Sequence, residues 1–201
     1  MRDVRVYMGD GSPYDSGYDK LNHAYMYGGP EQAIRTINQN FGLDIQDYVT
    51  VNFAAMAKIV DAFGGVNIDL TEEEVEQVNI NMRDLAATSP DSMSGDVSTY
   101  APLSAGEGVL LNGDEAVAYG RIRAIGNDNG RVERQQEVLS ALLSKASSIS
   151  KLEYPSIIQQ LAPLCETSLT FDKMIGLAQI ALTGFDIERL SIPSDVEGYA
   201  S

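Results

Sequence analysis

The sequence predicts an α/β fold, in which helices flank a central mixed β-sheet to give three α-β-α layers. Two observations indicate this class. Short segments that alternate polar and apolar residues lie between segments with apolar residues three to four apart, and glycines follow several of the latter. A chain of 201 residues that is 44% hydrophobic suits one domain with an ample core. Strand-like residues follow Met1 at once, so we expect this domain to be N-terminally truncated.

The amino-terminal third predicts strands and helices in alternation. Alternating residues indicate the strands, helical spacing of apolar residues indicates the helices, and glycine pairs indicate where helices stop. In chain order we predict a strand at Val4–Tyr7, a turn-rich loop at Gly9–Asp19, helices at Leu21–Tyr27 and from Pro30 to Gly42, a strand at Tyr48–Phe53, a helix at Phe53–Phe63 and a strand at Val66–Leu70. The last three elements predict a β-α-β unit.

The remainder of the chain begins with a segment of weak pattern. Residues 71–108 open with the acidic run TEEEVEQ and keep no sustained period, which indicates a surface excursion or lid with a partial helix. Asn112 is suited to cap a following helix that carries acidic residues in its first turn. We predict helices at Leu110–Arg123, Arg131–Ser148, Ile157–Leu161 and Phe171–Leu182, a turn at Gly126–Gly130, and a closing strand at Phe185–Ile192.

The clearest functional signal is a cluster of arginines in a strongly acidic chain. The formal net charge is −15, yet the stretch RIRAIGNDNGRVERQ holds four of the 14 basic residues, at Arg121, Arg123, Arg131 and Arg134. Arginine presents a planar fork of donors that fits phosphate or carboxylate oxygens two at a time. The cluster therefore predicts an anion site, most economically for phosphate, and the acidic balance argues against nucleic acid as a partner.

Spacing places these arginines on two arms of one loop. Arg131, Arg134 and Gln135 occupy neighbouring positions on the first turns of the predicted helix, whose free N–H groups also favour an anion. Arg121 and Arg123 alternate, so an extended stretch points both to one side. The alternative is a surface on which the arginines pair with surplus carboxylates, as Arg134 could with its acidic neighbours.

Other reactive residues give no site of their own. Cys165 is the single cysteine and cannot form an internal disulfide, and His23 has no second histidine with which to build a metal site. No run of about 18 apolar residues is present.

An ordered set of motifs resembles the LytR–CpsA–Psr family. The set comprises RD at Arg2-Asp3, DKLNHAY at Asp19–Tyr25 with the following glycine pair, YVTVNF, IVDAFGGVNIDL, LNGDEAVAYGRIR ending at Arg123, and GRVERQQEV at Gly130–Val138. The resemblance implies one catalytic-type domain over residues 1–201. It also implies a phosphotransferase that moves a glycopolymer, such as teichoic acid or capsule, from an undecaprenyl-pyrophosphate carrier to peptidoglycan.

The resemblance also implies roles for individual residues. It assigns catalysis to Arg2, Arg121 and Arg123, and pyrophosphate binding to these three together with Arg131 and Gln135. Weaker matches to the binding positions are Lys20, Asn22 and Arg134. Mg²⁺ is the implied cofactor, and the implied location is the extracytoplasmic face of the bacterial membrane, reached through an N-terminal anchor.

The family's acidic motifs mark a difference from this chain. They precede the RD pair, and their aspartates bind the metal and assist the chemistry, so the resemblance predicts no metal ligand within these 201 residues. Two other functions therefore remain open: a non-catalytic module that binds polyprenyl pyrophosphate or glycan phosphate, and the transcriptional attenuator for which the family was historically labelled.

Overall fold

The computed structural model describes residues 4–9, 13, 17–88, 93, 95, 100–126, 128–150 and 152–182. Arg2 and the predicted strand Phe185–Ile192 lie outside the described residues. Two compact units are present: one holds the described residues up to Thr50 with Thr167–Leu169, and the other holds the described part of Val51–Glu166 and the helix that follows Thr170. The prediction of one domain over residues 1–201 stays a prediction.

The described residues mix helices with short strands, which confirms the α/β class. The helices are α1 (Leu21–Phe41), α2 (Phe53–Ala62), α3 (Glu72–Thr88), α4 (Gly113–Gly120), α5 (Asp128–Ser147), α6 (Tyr154–Leu161) and α7 (Phe171–Leu182), with a 3₁₀ turn at Ala162–Leu164. The strands are β1 (Arg5–Tyr7), β2 (Tyr18–Lys20), β3 (Val49–Thr50), β4 (Val66–Leu70), β5 (Gly106–Leu111) and β6 (Glu166–Thr167). Among these strands the pairings are β1 with β2, β3 with β6, and β4 with β5.

The first unit is a hairpin packed on a broken helix. β1 pairs antiparallel with β2, so the predicted loop ends at Gly17 rather than at Asp19. α1 is interrupted at Gly28 and Gly29, the latter at φ 64°, which confirms the two helices predicted on either side of this pair. A small core forms beneath the hairpin from Val6, Met8, Leu21 and Ala24, packed by Ile37 and Phe41.

The second unit holds the main core, with α2, α3, α4, α5 and the β4–β5 pair around it. Asn52 accepts a hydrogen bond from the backbone N–H of Ala55 and so begins α2 at Phe53, which shortens the predicted strand Tyr48–Phe53 to Val49–Thr50. β4 pairs antiparallel with β5. The predicted β-α-β unit is therefore wrong, because β4 takes its partner from a later strand and not from β3.

The segment predicted as an excursion contributes to this core. α3 covers 17 residues and buries Val78, Met82 and Leu85 against the cluster that also contains Leu111 and Ile122. The partial helix expected within residues 71–108 is α3, and the interpretation of this segment as a lid or surface excursion stays a prediction. In the acidic first turn Glu72 and Glu73 are exposed, while the apolar residues Val78, Met82 and Leu85, four and three apart, face inward.

Candidate functional site

The site begins with α4, a short helix that is held from several sides. Asn112 and Glu115 form a capping box, which confirms the predicted cap, and all eight residues of α4 are buried. The N–H of Gly113 donates to Asp61 Oδ1 over 2.7 Å. A Cβ at Gly113 would lie 2.0 Å from the backbone oxygen of Ala57, so glycine allows α2 and α4 to approach closely. The amino end of α4 is thus fixed in position, and the whole helix is buried.

Two exposed arginines follow the carboxyl end of α4. Ile122 is fully buried, at 0% exposure, while Arg121 and Arg123 on either side of it are exposed. Exposure thus alternates along these three residues, although Arg121 has helical backbone angles, φ −96° and ψ −6°, and not the extended conformation expected. The Arg121 guanidinium lies 4.8 Å from the centroid of the Phe53 ring, which is 50% exposed. Neither arginine forms an ion pair with the carboxylates of the described residues, so both remain available to an anion.

The remaining predicted residues lie on the first turns of α5 and differ in solvent exposure. Gln135 is exposed, and its Nε2 donates to the carbonyl oxygen of Gly120 over 3.2 Å, one residue before Arg121. Arg131 and Arg134 are each only 8% exposed. The three neighbouring positions on α5 therefore differ in exposure. The structure brings Gln135 to the exposed arginine turn and directs Arg131 and Arg134 inward.

Arg134 is held by partners that the sequence did not indicate. Its Nε lies 3.0 Å from Glu74 Oε1, and its Nη1 donates to the carbonyl oxygen of Ile125 over 3.2 Å. The predicted partners were the acidic residues nearest to it on α5. Its guanidinium also lies 6.0 Å from the centroid of the Tyr119 ring, whose hydroxyl donates to Glu137.

Burial and hydrogen bonding set the protonation of this network. Burial raises the pKa of Tyr119, and the hydrogen bond to Glu137 raises it further, so the phenol stays protonated and donates. Burial opposes ionisation of Glu74, but hydrogen bonds from Thr71 and Arg134 outweigh it and lower the pKa of Glu74. Glu74 is therefore a carboxylate that faces the Arg134 guanidinium. Thr71-x-x-Glu74 is a capping-box pattern that could have revealed part of this arrangement from sequence.

The weaker candidates Lys20 and Asn22 belong to the first unit, where they lie beside the hydrogen-bonded carboxylate of Asp19. Asp19 Oδ2 accepts from the Tyr27 hydroxyl over 2.6 Å and lies 2.9 Å from His23 Nδ1, and Oδ1 accepts from the backbone N–H of Lys20. The Tyr27 hydrogen bond is the main cause that lowers the pKa of Asp19 to about 2. Both Lys20 and Asn22 are exposed.

The described residues do not supply a fit for the implied Mg²⁺. They contain no group of three or more His, Cys, Asp or Glu side chains arranged to hold an ion. Asp19, the first residue of the DKLNHAY motif, accepts hydrogen bonds on both oxygens.

One wide cavity lies in the second unit, with a volume of about 870 Å³. Its apolar lining includes Leu103, Val109 and Leu110, and its polar lining includes Asp61 and Glu115. Burial raises the pKa of Glu115, with contributions from the charges of Asp114 and Asp61.

The described helices include none that is both long enough and apolar enough to cross a membrane.

Known proteins resemble this chain over most of its length. A Bacillus subtilis relative, the polyisoprenyl-teichoic acid–peptidoglycan teichoic acid transferase TagT, is 30% identical over 187 residues, which cover 88% of this chain and 53% of the relative. A solved structure of TagT bound to LIIa-WTA matches with a TM-score of 0.67 and 27% identity, covering 90% of this chain and 60% of that one.

A second structure shows the same fold with a lipid. It is a LytR-CPS2A-psr family protein, YwtF (TagT), with bound octaprenyl pyrophosphate, and it matches at 26% identity with a TM-score of 0.61, covering 90% of this chain and 59% of that one. The chain spans about half the length of the curated relatives that it matches. The model of the LytR_cpsA_psr family matches residues 1–200, and the chain therefore belongs to the LytR–CpsA–Psr family.

Proposed function

We propose that the protein containing this chain transfers a glycopolymer, of the teichoic acid class, from a polyprenyl-pyrophosphate carrier to peptidoglycan. The observation that carries the proposal is the exposed pair Arg121 and Arg123, mounted on either side of the buried Ile122. Relatives named as teichoic acid transferases, and a solved relative with a bound polyprenyl pyrophosphate, support this choice of ligand.

The exposed arginines suit the electrostatic demands of phosphoryl transfer. A hydroxyl of the acceptor forms a new bond to the phosphorus that carries the glycopolymer, and the bond from that phosphorus to the bridging oxygen breaks. Polyprenyl phosphate leaves with the electron pair of the broken bond, and the hydroxyl proton passes to a general base. By the resemblance, that base would be an aspartate upstream of Arg2. Guanidinium groups stabilise negative charge as it develops on the leaving phosphate.

The roles of the predicted residues follow from their exposure. Arg121 and Arg123 would donate to the pyrophosphate oxygens, with each charge-assisted hydrogen bond contributing about 1.5–3 kcal/mol. Gln135 would fix the end of α4 next to them, since its amide already holds the Gly120 carbonyl. Arg131 would act from a buried position. Arg2, Lys20 and Asn22 would complete the donor set from the first part of the chain.

The proposal also includes an undecaprenyl group as the carrier lipid, a membrane anchor, and a location at the extracytoplasmic face of the bacterial membrane. The named relatives support a role in the cell wall, because teichoic acid and peptidoglycan are the partners in their names. Mg²⁺ dependence is also proposed, and we derive no step through the ion because the described residues provide no set of ligands for it.

The test is binding of octaprenyl pyrophosphate to the chain, with and without Mg²⁺, by calorimetry. Arg121→Ala/Arg123→Ala should weaken binding by at least about tenfold, which corresponds to about 1.4 kcal/mol. The matched control is Arg35→Ala/Arg83→Ala, which removes two other exposed arginines and should bind as the wild type does. Equal affinity of the three proteins would refute the assignment of the site.

Transfer is tested separately, by following attachment of a labelled glycopolymer to peptidoglycan. Binding that is abolished by Arg121→Ala/Arg123→Ala, together with labelled product, supports the transferase. Binding without product under any condition would instead establish a non-catalytic pyrophosphate-binding module.

A further inference from the structure

Arg134 and Glu74 form a brace between α3, α5 and the turn that carries the exposed arginines. The turn comprises residues 121–126, and Arg134 reaches it through the carbonyl oxygen of Ile125, 3.2 Å from Nη1. The same guanidinium lies 3.0 Å from Glu74 on α3. One side chain thus ties the turn to two helices.

Glu74 is itself held in a single orientation. Its Oε2 accepts from the backbone N–H and the hydroxyl of Thr71, over 3.1 and 3.0 Å, while Oε1 faces Arg134. Because one carboxylate oxygen caps α3 and the other faces the guanidinium, Glu74 has little freedom to turn away. The side chains of Glu74 and Arg134 are 13% and 10% exposed, so a bound ligand cannot replace either as the other's partner without moving the helices.

The brace has a consequence for Arg121 and Arg123. Arg121 is the residue that caps the end of α4, and Arg123 lies in the irregular stretch after the buried Ile122. Backbone hydrogen bonds from the N–H groups of Arg121 and Ile122 return to α4, over 3.2 and 3.1 Å. Beyond them, the contact between Ile125 and Arg134 fixes the far end of the turn. A turn held at both ends keeps the backbone positions of the two exposed arginines fixed relative to each other, which lowers the ordering cost of binding a rigid anion.

We propose that Glu74 is a positioning residue for pyrophosphate binding, which it promotes through Arg134 by fixing the arginine turn, residues 121–126. This inference rests on the proposed function. It assigns to Glu74 no contact with the ligand.

The test uses two conservative variants. Glu74→Gln keeps an oxygen for the Thr71 cap and removes the charge that faces Arg134. Arg134→Lys keeps the positive charge but loses the guanidinium group, which contacts the Glu74 carboxylate and the Ile125 carbonyl oxygen at the same time. Glu73→Gln is the matched control, because it removes a neighbouring exposed carboxylate of α3.

The first measurement is hydrogen exchange of the backbone amides of the arginine turn, which requires no ligand. Both variants should accelerate it by about fivefold or more, while exchange in the α4 interior and the control stay as in the wild type. Unchanged exchange in the turn would overturn the inference, whatever the ligand does.

The second measurement is the affinity for octaprenyl pyrophosphate. Both variants should bind at least about fivefold more weakly than the wild type and the Glu73→Gln control. If exchange accelerates while the affinity is unchanged, the brace serves folding only and the inference is overturned. If the wild type itself fails to bind, the proposed function fails first, and the positioning role fails with it.

Discussion

The close approach of α2 and α4 can be tested by Gly113→Ala. A Cβ added at Gly113 would lie 2.0 Å from the oxygen, 2.5 Å from the carbonyl carbon and 2.7 Å from the Cα of Ala57, all of which are backbone atoms. Ordinary contact begins near 3.4 Å, so the two helices must separate by about 1.4 Å to accept the methyl group. No side-chain rotation can relieve this contact.

The magnitude follows from what the separation breaks. Overpacking of a core costs about 1–3 kcal/mol, and a gap of about 1 Å already forfeits up to half of the dispersion energy across the interface. The hydrogen bond between the Gly113 N–H and Asp61, 2.7 Å long, would also be strained, at a cost of about 1 kcal/mol. We expect Gly113→Ala to lower the free energy of unfolding by about 3–4 kcal/mol, and the Tm by about 10 °C.

The assay is urea unfolding followed by circular dichroism, with Gly176→Ala as the matched control. Gly176 lies within α7, and a Cβ there would meet nothing within 4 Å. The control should therefore be more stable than the wild type by about 0.5–1 kcal/mol, because alanine favours a helix interior over glycine. A stability of Gly113→Ala within about 0.5 kcal/mol of the wild type would refute the close packing of α2 against α4.

Three further predictions concern caps and protonation. Asn112→Ala should lower the free energy of unfolding by about 1 kcal/mol in the same urea assay, because it removes one half of the capping box of α4. The Asp19 carboxyl should titrate with a pKa of about 2 by NMR, and Tyr27→Phe should move this pKa up toward 3.8. Because the pKa is depressed in the folded protein, the stability that Asp19 contributes is present above pH 3.8 and is lost as the pH falls toward 2. Burial raises the pKa of Glu115 above 4.5 in the folded protein, so the free energy of unfolding should fall as the pH rises from 4.5 through the folded pKa. Glu115→Gln keeps a capping oxygen and should abolish that fall when unfolding is measured across this pH range. A Tyr27→Phe protein with an unmoved Asp19 pKa, or a Glu115→Gln protein with the pH dependence of the wild type, would contradict the corresponding assignment.

Local sequence signals predicted those parts of the fold that depend on neighbouring residues. The glycine pair at Gly28-Gly29 breaks α1 where predicted, because Gly29 adopts a positive φ that other residues avoid. Asn112 caps α4, and α7 has the predicted bounds Phe171–Leu182. In each case the determining interaction lies within a few residues along the chain.

Long-range pairing was not predictable in the same way. β4 was assigned to a β-α-β unit because it follows α2, yet its partner is β5, which begins 36 residues after β4 ends. The strand β5 has a mostly exposed pattern and carries Gly106 and Gly108, so alternation of apolar residues did not reveal it. Such a pairing depends on which surfaces remain uncovered after the helices pack, and composition does not record this.

The arginine cluster shows how far spacing alone can assign a site. Arg131, Arg134 and Val138 lie at intervals of three and four, and the structure buries all three on one face of α5. A guanidinium on a buried face must find an acceptor in the interior, and Arg134 finds Glu74 from a helix 60 residues away. Arg121 and Arg123 differ because the residue between them, Ile122, is the one that is buried, and this alternation requires no distant partner. The local spacing therefore grouped the arginines without separating the exposed pair from the buried one, and the pair Glu74–Arg134 could be found only from the contact between α3 and α5.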